Sequence, residues 1–106
     1  MNGPDAEIST TLSSSRIGPQ CQELAGYGQT TDYIEITPFE KLAIYAKTKY
    51  NCKAYVFYDE DKNIIYSYPP GTMEETKLAY ETLVVPENAK YIRASYVEGD
   101  ARSPSF

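Results

Sequence analysis

Between Asp32 and Val97 the apolar residues fall on alternate positions, the spacing of half-buried β-strands rather than of helices. Tyr33-Ile34-Glu35-Ile36-Thr37 puts Ile34 and Ile36 on one face, and Pro38 closes it. Lys41 to Thr48 alternates again, with Leu42, Ile44 and Ala46 on one side and Lys41, Ala43, Tyr45 and Lys47 on the other. Lys53-Ala54-Tyr55-Val56-Phe57-Tyr58 is the densest strand. The turn formers Asp59-Glu60-Asp61-Lys62-Asn63 separate it from Ile64-Ile65-Tyr66-Ser67-Tyr68, which predicts a hairpin. Pro69-Pro70-Gly71-Thr72 ends that hairpin, and Met73 to Lys77 reads as a charged loop or a single helical turn. Glu81 to Val85 forms a further strand stopped by Pro86, and Tyr91 to Val97 forms the last. Short strands divided by turn signals, with no helix of useful length, predict an all-β antiparallel sandwich, a jelly roll or a related Greek key.

The ends read differently. Residues 1–25 are rich in Ser and Thr and have only Ile8, Leu12 and Ile17 as scattered anchors, so they predict a polar arm that packs on something else. The sandwich is expected over residues 26–97. Residues 98–106 form a tail ending in Phe106. At 106 residues the chain is expected to be one domain.

Charge and composition narrow the chemistry. A net charge of −5 with no basic run argues against nucleic acid as a partner. No apolar run is long enough for a membrane span, and Met1-Asn2-Gly3-Pro4-Asp5 lacks the basic and apolar regions of a secretion signal. With no histidine, the commonest general base and metal-ligating nitrogen are both missing. Ser13-Ser14-Ser15 therefore cannot belong to a serine hydrolase triad, which leaves only the less common Ser-Lys chemistry. The carboxylates Glu23, Glu74, Glu75 and Glu81 are read as solvated charges, because the sequence sets no two of them facing each other. Asp59, Asp61 and Asn63 repeat the opening of an EF-hand loop, but Ile64 stands where the turn glycine belongs and Pro70 where the bidentate glutamate belongs. A polar hairpin turn is the better reading. Cys21 and Cys52 fit no CxxC motif and are read as free thiols, with a disulfide the alternative. The chain is expected to be no enzyme and to need no cofactor.

All eleven tyrosines lie between Gly26 and Tyr96. If the aliphatic positions above point inward together with Ala54, Val56, Ile92, Ala94 and Tyr96, the outward set holds Tyr33, Tyr45, Tyr55, Phe57 and Tyr91. These rings are interleaved with Glu35, Lys47, Lys53 and Arg93. Such a mixed face suits protein or glycan contact, so Tyr33, Tyr45, Tyr55, Phe57, Tyr91 and Arg93 are the candidate contact residues. The other reading is that the rings pair across strands and only cover the sheet.

Three runs carry a resemblance: Thr31-Asp32-Tyr33-Ile34-Glu35-Ile36, Ala54-Tyr55-Val56-Phe57-Tyr58-Asp59-Glu60-Asp61-Lys62, and Val85-Pro86-Glu87-Asn88-Ala89-Lys90-Tyr91-Ile92-Arg93. Over residues 26–96 the chain resembles the jelly-roll modules, related to carbohydrate-binding domains, of fibre, tail and other virion proteins of phages infecting gut bacteria, and of surface proteins of their hosts. Where members often have Pro-Gly after the first strand, this chain has Pro38-Phe39. The resemblance implies a non-enzymatic virion structural or fibre module in a virion assembled in the host cytoplasm. Its partners would be other virion proteins, in a homo-oligomer within an assembly, with a cell-surface glycan as a further contact. The alternative is a carbohydrate-binding module of a fibre tip or of an extracellular or cell-surface protein.

Overall fold

The computed structural model describes residues 12–49, 51–71, 75–97, 104 and 106. Residues 1–11 of the expected arm, most of the 98–106 tail, and the 72–74 part of the expected loop or helical turn lie outside this set. The described residues are all-β, with no helix among them, and run β1 (Leu12–Ile17), β2 (Glu23–Thr31), β3 (Ile34–Glu35), β4 (Lys41–Thr48), β5 (Tyr55–Tyr58), β6 (Ile64–Tyr68), β7 (Lys77–Val84) and β8 (Tyr91–Val97). One hydrogen-bonded path runs β1-β2-β8-β4-β7, and a second group joins β3, β5 and β6 to the same β8. The first half of β8 pairs with β3 and β5, and its second half with β2 and β4. β8 is thus the strand on which both halves of the fold are built.

The antiparallel expectation needs a correction. Six of the seven strand pairs are antiparallel, but β4 meets β8 in parallel at Lys47 and Tyr96, so the sheet is mixed.

Two apolar clusters lie on opposite sides of β5 and β8. The larger gathers Ile34, Ile44, Ala46, Ala54, Tyr55, Phe57, Ala79, Ile92 and Ala94. The smaller holds Ile17, Val56 and Tyr58, with Cys21 and Tyr91 against it. β4 follows its alternation: Ile44 and Ala46 are buried and Leu42 packs on them. β5 does not, because it is covered on both faces and all four of its residues are buried. Tyr55, Phe57 and Arg93, expected outward, are therefore interior, and so is Lys53. The cover on the second face is β1, whose Ile17 is fully buried and whose carbonyl accepts from Lys53 N at 2.8 Å. Residues 12–25 are consequently strand and turn within the sheet, not arm, and the boundary at residue 25 falls inside β2. Phe106, the aromatic that ends the expected tail, is buried in the larger cluster.

Two local features shape the frame. Gly28 sits where an added Cβ would come 2.7 Å from the carbonyl oxygen of Tyr96 and 3.1 Å from Val97 Cα, so only glycine lets β2 approach β8. After β3, Glu40 N bonds to Thr37 O at 3.3 Å, and Phe39 has φ 68°. A proline followed by a left-handed residue is the type II turn that normally calls for glycine. Phe39 is 69% exposed, so its ring returns little for that strain. Phe39→Gly is expected to leave the fold intact and raise stability by up to about 1 kcal/mol, reduced in part by the greater freedom of glycine in the unfolded chain. Urea unfolding checks this, and a variant less stable than the parent would show the ring to be held by contacts.

Candidate functional site

The site forms where β3, β5 and β8 meet the β5–β6 turn. Antiparallel registers place Tyr58 opposite Tyr91, and Ile34 opposite Ile92, which carries the preceding Tyr33 toward Arg93. Tyr33 enters from a short bend in which its N–H donates to Asp32 Oδ1 at 2.8 Å. Its ring meets Tyr58 edge-on at 4.9 Å and Tyr91 at 6.1 Å between centroids.

Two cations flank the ring of Tyr33. Arg93 Cζ lies 5.0 Å from its centroid, and Lys62 Nζ 4.8 Å from it and 5.4 Å from that of Tyr91. The turn sets Lys62 there. Asp59 accepts from the N–H groups of Asp61 (2.9 Å) and Asn63 (2.8 Å), while Lys62 takes φ 66° and donates from its N to Asp59 O at 3.0 Å. The Asp-x-Asp-x-Asn spacing is thus used for an Asx-type turn, and the Asn63 N–H above all, helped by the Asn63 side chain and the Asp61 N–H, holds the Asp59 carboxyl below its usual range.

Arg93 is fixed from behind. Its Nε donates to the Thr31 carbonyl at 3.0 Å and its Nη2 to Glu23 Oε1 at 2.7 Å. The hydrogen bond from Arg93 lowers the pKa of Glu23 against the opposing effect of burial. Burial pushes the Tyr58 phenol up to about 12, with Tyr33 adding to the rise and Arg93 opposing it, so Tyr58 stays a neutral hydroxyl at neutral pH.

An open cleft of about 340 Å³ is lined by Ile36, Thr37, Pro38, Glu60, Glu87, Asn88, Ala89 and Lys90, the last being the chain neighbour of Tyr91. Lys90 Nζ contacts Glu35 Oε2 at 2.8 Å, and the hydrogen bond between them lowers the Glu35 carboxyl and raises the Lys90 ammonium.

Of the six candidate residues, the structure brings together Tyr33, Tyr91 and Arg93. Tyr33 is partly exposed and Tyr91 half-buried, whereas Arg93 supports the rings from the interior. Tyr45 lies elsewhere, on the outer side of the β4–β7 pair against Tyr80 (5.3 Å) and Tyr96 (5.6 Å). Tyr55 and Phe57 belong to the larger core. The sequence reading missed Tyr58, Lys62 and Glu23. The signal for Lys62 was present, since Asp59-x-Asp61-Lys62-Asn63 is turn chemistry that commonly admits a left-handed residue. Glu23 could not be found, because it meets Arg93 only through the β2–β8 pairing.

The arrangement offers rigid rings, phenolic hydroxyls and two cations, which is the chemistry of contact with a protein or a glycan. Among the described residues no group of three or more His, Cys, Asp or Glu could hold a metal ion. No protein-family model, curated protein or solved structure matches this chain.

Proposed function

We propose that the chain is a non-enzymatic structural or fibre module of a bacteriophage virion that docks on neighbouring subunits or meets the host surface. The observation that carries this reading is Tyr33, a partly exposed ring held between Arg93 and Lys62 and abutting Tyr91. Contacts with Lys62, Arg93, Tyr58 and Tyr91 restrict the rotamers of this ring, which lowers the entropic cost of its contact area. The three runs that resemble jelly-roll virion modules support the same reading, and between them they supply these residues: Tyr33 from the first, Lys62 from the second, Tyr91 and Arg93 from the third. The second reading is a carbohydrate-binding module, favoured by the open cleft in which Glu87, Asn88 and Lys90 would hydrogen-bond hydroxyl groups while Ile36, Pro38 and Ala89 offer apolar contact.

Tyr33→Ala and Tyr91→Ala should each weaken incorporation into particles, or binding on a glycan array, by at least about tenfold, the loss typical of a truncated interface aromatic. Melting temperatures should change little by comparison with core variants. If both variants assemble and bind like the parent, the rings merely cover the sheet and both readings fall.

A further inference from the structure

Among the described residues, β7 ends the β1-β2-β8-β4-β7 path as an edge strand. It is unusual for an edge. Its eight residues pair with β4 without a register shift, from Lys41 opposite Val84 to Thr48 opposite Lys77. It contains no proline, and its outer face leaves Leu78, Tyr80 (68%) and Val84 exposed. Natural proteins blunt such edges with bulges, prolines or short strands, because a long regular edge is a template for another strand. The other edges are blunted: β1 carries a register irregularity, β3 has two residues, and β6 is a five-residue strand whose pairing with β5 is irregular at Phe57/Tyr58.

The order of residues on β7 names its occupant. In Lys77-Leu78-Ala79-Tyr80-Glu81, an antiparallel pairing of the segment with itself centred on Ala79 sets Lys77 opposite Glu81 and Leu78 opposite Tyr80, each twice. Alternation along the strand puts the two ion pairs on one face and the two Leu–Tyr pairs on the other. Shifting the centre by one residue to Tyr80 would place Lys77 opposite Leu83 and lose both ion pairs. A contact that repeats under a two-fold axis closes on itself as a dimer.

We propose that β7 pairs with β7 of a second copy of this chain, centred on Ala79, joining two sheets edge to edge. This deepens the assembly reading by naming a self-contact within it. It is tested on the isolated chain, away from the Tyr33 face, so the two can fail separately.

Sedimentation of the chain across a wide concentration range should show a monomer–dimer equilibrium that weakens with added salt. Lys77→Glu and Glu81→Lys, each of which sets like charges opposite one another twice, should raise the dissociation constant about tenfold. The double variant Lys77→Glu/Glu81→Lys restores both ion pairs with reversed polarity and should return to within about threefold of the parent. Tyr80→Ser should weaken the dimer without restoration by any charge change, and Tyr33→Ala should dimerise like the parent. Circular dichroism confirms that each variant is folded. A chain monomeric at every concentration overturns the proposal. So does a dimer in which the single charge variants match the parent, or growth of open filaments, which would indicate a contact between two different edges.

Discussion

Tyr55→Ala is expected to destabilise the protein by about 3–5 kcal/mol, the range for truncating a buried aromatic. That is a large share of the roughly 5–15 kcal/mol that holds a domain of this kind folded. Tyr55 is 3% exposed; it stacks on Tyr68 at 5.3 Å and 11° and meets Phe57 edge-on at 5.7 Å. The larger cluster closes around it from both halves of the fold, with Ile44, Ala46 and Ala79 from β4 and β7 and Ile92 and Ala94 from β8. Tyr80→Ala, on the exposed outer face of β7, is the matched control and should cost far less. Urea denaturation of the two variants beside the parent measures the difference. Equal midpoints would mean that the ring is not core. High pH should act in the same direction as truncation. Burial raises the Tyr55 phenol, with the neighbouring Tyr66, Glu81 and Tyr68 adding to the rise. A raised pKa means stability that is whole below the unfolded value of about 10 and is lost as pH climbs beyond it. Tyr58 adds to the same alkaline loss.

Tyr55 also marks where the sequence was legible and where it was not. Period-2 alternation identifies an inward face only when the other face is wet. It worked for β4, whose outer side carries Lys41, Tyr45 and Lys47, and for β3, where Ile34 is buried and Glu35 exposed. It could not work for β5. There the phase rested on Ala54 and Val56, which are indeed buried, yet Tyr55 and Phe57 fill the larger cluster, to which Ala54 also belongs, while Val56 lies in the smaller one. The strand that covers the Val56 face comes from Leu12–Ile17, a Ser-rich run whose two apolar residues stand at its ends, and a local reading of that run suggests an arm. Ile17 reaches its place through a single bridge to Lys53. The long-range pairings that decide burial here leave no periodic trace, and neither does the parallel meeting of Lys47 with Tyr96. At the site, Tyr33 and Tyr91 were legible as aromatics flanking alternating strands. The role of Arg93 was not, because its charged head suggests a solvent face, whereas Glu23 and the Thr31 carbonyl make its burial tolerable.

Arg93→Met should lower stability by about 2–3 kcal/mol at neutral pH, the order for removing a buried charged donor from its acceptors. The Thr31 carbonyl loses the guanidinium N–H that it accepts in the interior, and Glu23 loses its ion pair. Glu23 suffers less, because its side chain is 42% exposed and water can take over as donor. Arg93→Lys should recover only part of the loss, since one compact ammonium cannot span Thr31 O and Glu23 Oε1 as the planar guanidinium does. The pH profile distinguishes this role from simple packing. Hydrogen bonding to Arg93 lowers the Glu23 pKa from the usual 4.5. A lowered carboxylate pKa contributes stability that is present above the unfolded value and disappears as pH falls through the folded one. The gap between parent and Arg93→Met should therefore narrow on acidification below about 4.5, as the parent loses what the variant never had. A gap that stays constant into acid would mean that Arg93 acts by filling space alone. Because Arg93 also sits over Tyr33 at 5.0 Å, either substitution should loosen that ring and reduce partner or glycan binding by more than the change in stability accounts for.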